Sequence, residues 1–208
     1  SDSDLTAAVY CEKGNLAVKD GPGEGTGRLN AVTSALPSDN EDGSKSFSSA
    51  GIMAAGNIIL EQVAVEAAAG SSNKIADGIR AVGDIQITDA EVTAAGTSEN
   101  DVMEPEHGGG IFSEEGDITI TGADTVVKAY SGYAQTGVAG IGAEAGKITI
   151  KDKADVTALA AVINPYYELG YSPAYTTADG GSIGDGIRAY GDIIIDDASV
   201  YALGCQSN

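Results

Sequence analysis

Apolar and polar residues alternate with a period of two along several short segments of this chain. Ile85 and Ile87 flank the polar residue Gln86, and the same alternation recurs at 118–120 and 148–150. Alternation over short segments that glycine and aspartate interrupt is typical of β-strands. No segment of ten or more residues offers the apolar stripe and end caps of a helix. The chain is therefore predicted to be all-β.

The alternating segments belong to an internal repeat. Gly-Ile-x-Ala, then Gly-Asp-Ile-x-Ile, then Val-x-Ala-x-Gly occurs at 78–96 and returns almost unchanged at 186–204. Each unit holds about three short strands, which can bury their apolar positions only when successive units stack. The repeat units fall near 9–32, 51–70, 78–96, 110–132, 140–160 and 186–204, with long loops at 33–50, 97–109 and 161–185.

This organisation predicts one domain over residues 1–208, a right-handed parallel β-helix of about six coils with variable loop insertions. A β-propeller is the alternative fold, but its blades need about 40 residues, and the marker glycines lie as little as 27 residues apart. The glycines that mark the units are expected to supply corners with positive φ. These marker glycines are Gly14, Gly56, Gly83, Gly116, Gly146 and Gly191.

Aligning the units predicts three inward columns, two of branched residues and one of small residues. They are Leu16, Ile58, Ile85, Ile118, Ile148 and Ile193; Val18, Leu60, Ile87, Ile120, Ile150 and Ile195; and Cys11, Ala54, Ala81, Ser113, Ala143 and Ala189. Cys11 and Cys205 lie five coil steps apart, roughly 24 Å at the usual strand spacing. A disulfide needs Cα atoms within about 7 Å, so both cysteines are predicted to be free thiols.

The charge balance excludes some functions. The chain has 31 Asp and Glu against 11 Lys and Arg, a net charge of −20, whereas nucleic-acid binders need clustered basic residues. No apolar run approaches the roughly 18 residues that span a bilayer, so membrane insertion is not expected. One histidine excludes a histidine-rich metal site, and a Ser–His hydrolase would depend on His107 alone.

The long loop at 161–185 carries four tyrosines, Tyr166, Tyr167, Tyr171 and Tyr175. Aromatic faces stack on sugar rings, and long loops on rigid scaffolds often carry binding sites, so these tyrosines are candidate ligand-binding residues. Alternatively, the tyrosines cover the side of a coil and shield an outward apolar residue such as Ile194. Both interpretations stay open.

The loop at 97–109 is the candidate metal site. Glu99, Asp101 and Glu104 supply the oxygen ligands that calcium prefers, although their spacing does not match an EF-hand. Acidic residues also keep a surface soluble and protect strand edges, which is the alternative interpretation. His107 is interpreted as a loop residue rather than a catalyst.

Two arginines, Arg80 and Arg188, occupy equivalent outward positions in their coils. The coils between them place other residues at this position, so the arginines are not expected to form a catalytic cluster. We expect each arginine to make a surface ion pair with a local acid, Asp77 or Asp185.

The whole pattern, Gly-Asp-Ile-x-Ile…Val-x-Ala-x-Gly with Gly-Ile-x-Ala between copies, resembles the β-helical repeat of bacterial carbohydrate-binding-domain-containing, pectate-lyase-like cell-surface proteins over residues 9–204. The resemblance implies an extracellular, secreted or cell-surface bacterial protein, a polysaccharide or host cell-surface glycan as partner, and sometimes bound calcium. We therefore expect a non-catalytic carbohydrate-binding or adhesion module. The alternatives are a calcium-dependent polysaccharide lyase or hydrolase on the same scaffold, and a rigid structural stalk. Separately, the first and last coils would expose unpaired strand edges, so we expect either neighbouring domains in a longer chain or variable loops that fold over the ends.

Overall fold

The computed structural model describes residues 3–20, 27–33, 46–70, 72, 74–96, 107–132, 138–160 and 184–204. These residues form 18 strands and no helix, in six coils of three strands each. The strands of the first three coils are β1 (Ser3–Cys11), β2 (Leu16–Lys19), β3 (Gly27–Val32), β4 (Ser46–Ala54), β5 (Ile58–Glu61), β6 (Val63–Ala68), β7 (Ile75–Ala81), β8 (Ile85–Thr88) and β9 (Glu91–Ala95). Those of the last three are β10 (Gly109–Ser113), β11 (Ile118–Thr121), β12 (Val126–Tyr130), β13 (Val138–Ala143), β14 (Ile148–Lys151), β15 (Asp155–Leu159), β16 (Gly184–Ala189), β17 (Ile193–Asp196) and β18 (Ser199–Leu203).

Each coil contributes one strand to each of three parallel sheets. Sheet A has the order β1-β4-β7-β10-β13-β16, sheet B contains β2-β5-β8-β11-β14-β17, and sheet C contains β3-β6-β9-β12-β15-β18. Every strand therefore pairs with its equivalent in the next coil, for example β8 with β11 in the register Ile85↔Ile118. The parallel β-helix of about six coils that the repeat predicts is confirmed.

The core is formed by the predicted inward columns. The register aligns Ile58, Ile85 and Ile118 across successive strands of sheet B, and all three side chains are fully buried. Burial of such a side chain contributes about 1.5–3 kcal/mol. The column of small residues also holds, with Cys11 paired to Ala54. The Cys11 thiol is free and half-buried, and it lies 3.5 Å from the carbonyl of Lys13. Cys205 lies outside the described residues.

The expected role of the marker glycines is wrong for all but one of them. Only Gly14 has a positive φ, of 95°. At Gly83 and Gly146 the backbone instead passes so close to the preceding coil that a Cβ would overlap the Asn57 side chain or the Gly116 carbonyl. The other corners with positive φ lie between the second and third strands of a coil, at Gln62, Asp89, Gly122, Asp152, Lys153 and Asp197.

The first strand of a coil departs from a regular pleat at one glycine. The ladder pairs Asp77 with Ala50 and Ile79 with Ile52, and Gly78, between them, lies against sheet C. A Cβ at Gly78 would lie 2.5 Å from a backbone nitrogen of β9. A regular strand points residues three apart to opposite faces, so this departure allows Asp77 and Arg80 to meet on one side of sheet A. Among the described residues, none belongs to a helix with the length and apolarity to cross a membrane.

Candidate functional site

The outer side of sheet A carries a compact polar cluster where coils 3 and 4 meet. We call it the Asp77 cluster, and it consists of Asp77 and Arg80 on β7, Phe112 on β10, His107 just before β10 and Glu114 just after it. Asp77 is fully buried, and the Arg80 side chain is 8% exposed. A buried carboxylate is stable only when it is paired and hydrogen-bonded.

Asp77 meets this requirement with three donors. Its Oδ1 accepts hydrogen bonds from the backbone N–H of Gly109 at 2.6 Å and from Nδ1 of His107 at 3.0 Å. Its Oδ2 accepts a hydrogen bond from Nη1 of Arg80 at 2.5 Å. Burial by itself raises the pKa of Asp77, but the His107 and Arg80 charges and hydrogen bonds outweigh it and lower this pKa to about 2. Asp77 is thus a carboxylate throughout the physiological pH range.

Arg80 is held at both ends of its guanidinium group. Opposite Asp77, its Nε and Nη2 atoms lie 2.9 and 2.7 Å from Oε1 of Glu114. The guanidinium carbon also lies 4.8 Å from the centre of the Phe112 ring, within the range of a cation–π contact. Burial lowers the pKa of Arg80, but Asp77 and Glu114 raise it by more, so the net change is upward. The cluster therefore contains one buried cation between two carboxylates.

His107 joins the chain before β10 to the start of β7. Its backbone forms a parallel bridge with Ile75, its N–H donates to the carbonyl of Lys74, and its carbonyl accepts from Ala76, both at 2.9 Å. Its ring meets Phe112 edge-on, with the ring centres 4.1 Å apart. The ring donates through Nδ1 to Asp77, and its second nitrogen is Nε2. This Nε2 atom is buried, and no described residue hydrogen-bonds to it.

The chain contains a second copy of the same local sequence, which behaves differently. Asp185-Gly186-Ile187-Arg188 repeats Asp77-Gly78-Ile79-Arg80 at the same place in coil 6. Arg188 is exposed, and within the described ranges no ion pair joins it to Asp185. The buried cluster therefore depends on the residues that coil 4 supplies.

These findings correct part of the sequence analysis. The predicted ion pair between Arg80 and Asp77 is confirmed, but it is buried instead of lying on the surface. Phe112 and Gly142 stand between Arg80 and Arg188 in one column, as predicted. The cluster that His107, Phe112 and Glu114 form around the Arg80–Asp77 pair was not predicted. His107 lies in a sheet bridge instead of a free loop. The corresponding pair in coil 6 is not formed.

The other predicted site residues lie outside the described residues. These are the candidate ligand-binding residues Tyr166, Tyr167, Tyr171 and Tyr175 and the candidate metal ligands Glu99, Asp101 and Glu104. Over the part of the chain that the structure describes, no three His, Cys, Asp or Glu side chains are grouped in a way that could hold a metal ion.

A second feature is an outward column of sheet B that carries no charge, which we call the neutral column. It runs through all six coils and consists of Ala17, Ile59, Gln86, Thr119, Thr149 and Ile194. Outward columns nearby carry charges, such as Glu66 and Lys128 on sheet C. The site residues predicted from the sequence lie in the loops and do not include this column.

Comparisons of the chain with protein-family models, with curated proteins and with solved structures found no match.

Proposed function

We propose that this chain is a non-catalytic carbohydrate-binding or adhesion module of an extracellular bacterial surface protein, and that glycans bind along the neutral column. The observation that carries the proposal is the column itself. Gln86, Thr119 and Thr149 stand on adjacent strands, about 4.8 Å apart, and apolar Ile59 and Ile194 flank these three residues on either side.

The chemistry of this column suits a sugar polymer. Hydroxyl and amide groups both donate and accept hydrogen bonds, as sugar hydroxyls do. The isoleucine side chains offer apolar surface to the C–H faces of sugar rings. The chain as a whole has a net charge of −20, and desolvating a carboxylate costs free energy. A ligand bound on the uncharged neutral column would avoid that cost.

The state of the Asp77 cluster supports a non-catalytic function. General acid–base catalysis works best with a group whose pKa lies near the working pH. The pKa of Asp77, about 2, lies far below that range, and both of its oxygens already accept hydrogen bonds. The Arg80 guanidinium group is likewise engaged in ion pairs with both Asp77 and Glu114.

The test is a binding panel of the purified chain against plant, mucin and microbial polysaccharides, with calcium and with chelator. Thr149→Lys places a charged side chain in the neutral column, between Thr119 and Ile194. Thr157→Lys is the matched control, because Thr157 is also half-buried on an outward face of coil 5, but on sheet C. We expect Thr149→Lys to weaken retention of a bound polysaccharide at least tenfold and Thr157→Lys to leave it unchanged.

Other outcomes would overturn the proposal. Equal loss in both variants would place binding away from the neutral column. New reducing or unsaturated ends in the incubated polysaccharide would favour a lyase or hydrolase instead. No retention of any polysaccharide would favour a structural stalk or a module that binds protein.

A further inference from the structure

The first and the last described coils expose matching parts of the core. Strands β1, β2 and β3 lie at one edge of the three sheets, and β16, β17 and β18 lie at the other. Ile193 and Ile195 continue the inward columns of sheet B but are 46% and 50% exposed, whereas their equivalents in the middle coils are fully buried. At the opposite end, Leu16 and Val18 are only partly buried.

The ends complement each other column by column. The inward columns begin with Val9, Leu16, Val18 and Leu29 in coil 1, and they end with Ile187, Ile193, Ile195 and Val200 in coil 6. If coil 1 of a second copy followed coil 6 in the same register, each branched residue would meet a branched residue. This is the packing that every internal pair of coils already has.

The backbone hydrogen bonds between coils would continue as well. In sheet B, the N–H of the first residue of each strand donates to a backbone carbonyl of the next coil. The acceptor is the residue just before the equivalent strand, as for Ile148 and the carbonyl of Asp192 at 3.0 Å. Ile193 occupies the donor position in coil 6. A second copy stacked there would present the carbonyl of Asn15, which is the residue before β2.

A ladder of side-chain oxygens runs in the opposite direction. Asn15 accepts a hydrogen bond from the N–H of Asn57 at 2.8 Å, Asn57 from Asp84 at 2.9 Å, and Asp84 from Asp117 at 2.8 Å. Asp192 occupies the equivalent position in coil 6, where its carboxylate would accept the N–H of Asn15 from a second copy. Stacking would thus add a reciprocal pair of hydrogen bonds at this corner.

Charges at the two ends are complementary in the same register. The last position of the sheet B strands holds Lys19 in coil 1 and Asp196 in coil 6. Within the molecule, Lys19 already forms an ion pair in this column, with Glu61 at 2.5 Å. A stacked second copy would place its Lys19 beside Asp196 in the same way.

We propose that this chain associates head to tail, with coil 6 of one copy stacked on coil 1 of the next. The contact is heterologous, because the two surfaces differ, and its repetition yields an open linear assembly instead of a closed dimer. The proposal does not depend on glycan binding. Because each copy carries a charge of −20, long-range repulsion opposes association, and salt that screens it should strengthen the contact.

The test is sedimentation velocity of the full chain over a range of concentrations, at low and at about 0.5 M salt. Ile195→Lys blocks the coil 6 end, and Val18→Lys blocks the coil 1 end. Each variant alone should remain monomeric. Mixed together they should form a one-to-one dimer and nothing larger, because each retains one free end. Thr157→Lys adds the same charge on a side face and should assemble like the unmodified chain.

The charge pair gives a second test that does not place a charge in the core. Lys19→Glu and Asp196→Lys should each weaken association at least fivefold, and the mixture of the two should restore it. A chain that stays monomeric at all concentrations and both salt conditions would overturn the proposal. It would also be overturned if either blocked variant still assembled alone while circular dichroism showed a folded chain, or if two correctly folded blocked variants failed to pair.

Discussion

Replacing Asp77 by Asn removes the negative charge from the Asp77 cluster while keeping the size of the side chain. In one orientation the amide carbonyl still accepts from Gly109 and His107, but the amide NH₂ group then faces Nη1 of Arg80, donor against donor. In the other orientation it faces the N–H of Gly109. Either way, at least one hydrogen bond is replaced by a repulsive contact in a fully buried place.

The cost can be estimated from these contacts. A hydrogen bond to a charged group contributes about 1.5–3 kcal/mol, and removing one partner of a buried ion pair costs about 3–5 kcal/mol. Because Glu114 remains bonded to Arg80, we expect Asp77→Asn to lower the free energy of unfolding by about 3 kcal/mol, at the lower end of that range. The measurement is urea denaturation of the full chain near pH 7, with the slope of the transition compared between variants.

Asp185→Asn is the matched control, because it makes the same change within the same Asp-Gly-Ile-Arg sequence. Asp185 is not fully buried and has no ion pair with Arg188 in the described part of the chain. Its replacement should change the free energy of unfolding by less than about 0.5 kcal/mol. If the two variants were equally stable, the argument that burial and coil 4 partners make Asp77 important would be refuted.

Acid titration provides an independent check with a defined sign. The pKa of Asp77 is lowered in the folded state from 3.8 to about 2, so its ionisation stabilises the fold above pH 3.8, and this contribution is lost as the pH falls through 2. At about 1.4 kcal/mol per pH unit, the loss amounts to about 2 kcal/mol. The stability difference between the unmodified chain and Asp77→Asn should shrink by this amount between pH 5 and pH 1. A difference that stays constant over this range would contradict the pKa assignment.

Two further predictions concern contacts between coils. Gly78→Ala would place a Cβ 2.5 Å from a backbone nitrogen of sheet C, whereas at Gly191 the nearest atom would be 3.1 Å away. Overpacking costs about 1–3 kcal/mol, so urea denaturation should show Gly78→Ala to be at least 2 kcal/mol more destabilising than Gly191→Ala. Equal losses of stability would argue against close approach as the role of Gly78. Asn57→Ala removes the acceptor of a 2.9 Å hydrogen bond from the N–H of Asp84 and should cost about 1 kcal/mol. Asp84→Asn keeps a side-chain carbonyl in the ladder and should be nearly neutral, so a larger loss in Asp84→Asn than in Asn57→Ala would contradict the ladder.

The repeat could be predicted from the sequence because its signals are local. Ile85 and Ile87 alternate with Gln86 within three residues, and stacking of identical units leaves one register in which all the apolar positions face inward. The role of the marker glycines could not be predicted in this way. These positions must lack a Cβ because they lie close to the preceding coil, as Gly83 does to Asn57. That distance cannot be inferred from the sequence of a single segment.

The two Asp-Gly-Ile-Arg segments show why the Asp77 cluster could not be predicted from the local sequence. Their local sequences are the same, and each lies in the first strand of its coil, yet only Asp77 and Arg80 form a buried ion pair. The difference lies in His107 and Glu114, which stand about 30 residues further along the chain and reach the pair only because coil 4 stacks on coil 3. Coil 6 is the last coil of the described stack, and the described residues supply Arg188 with no such partners. A repeat sequence thus determines the position of each residue in its column, while the neighbouring coils determine whether a polar residue there is solvated or becomes part of a buried network.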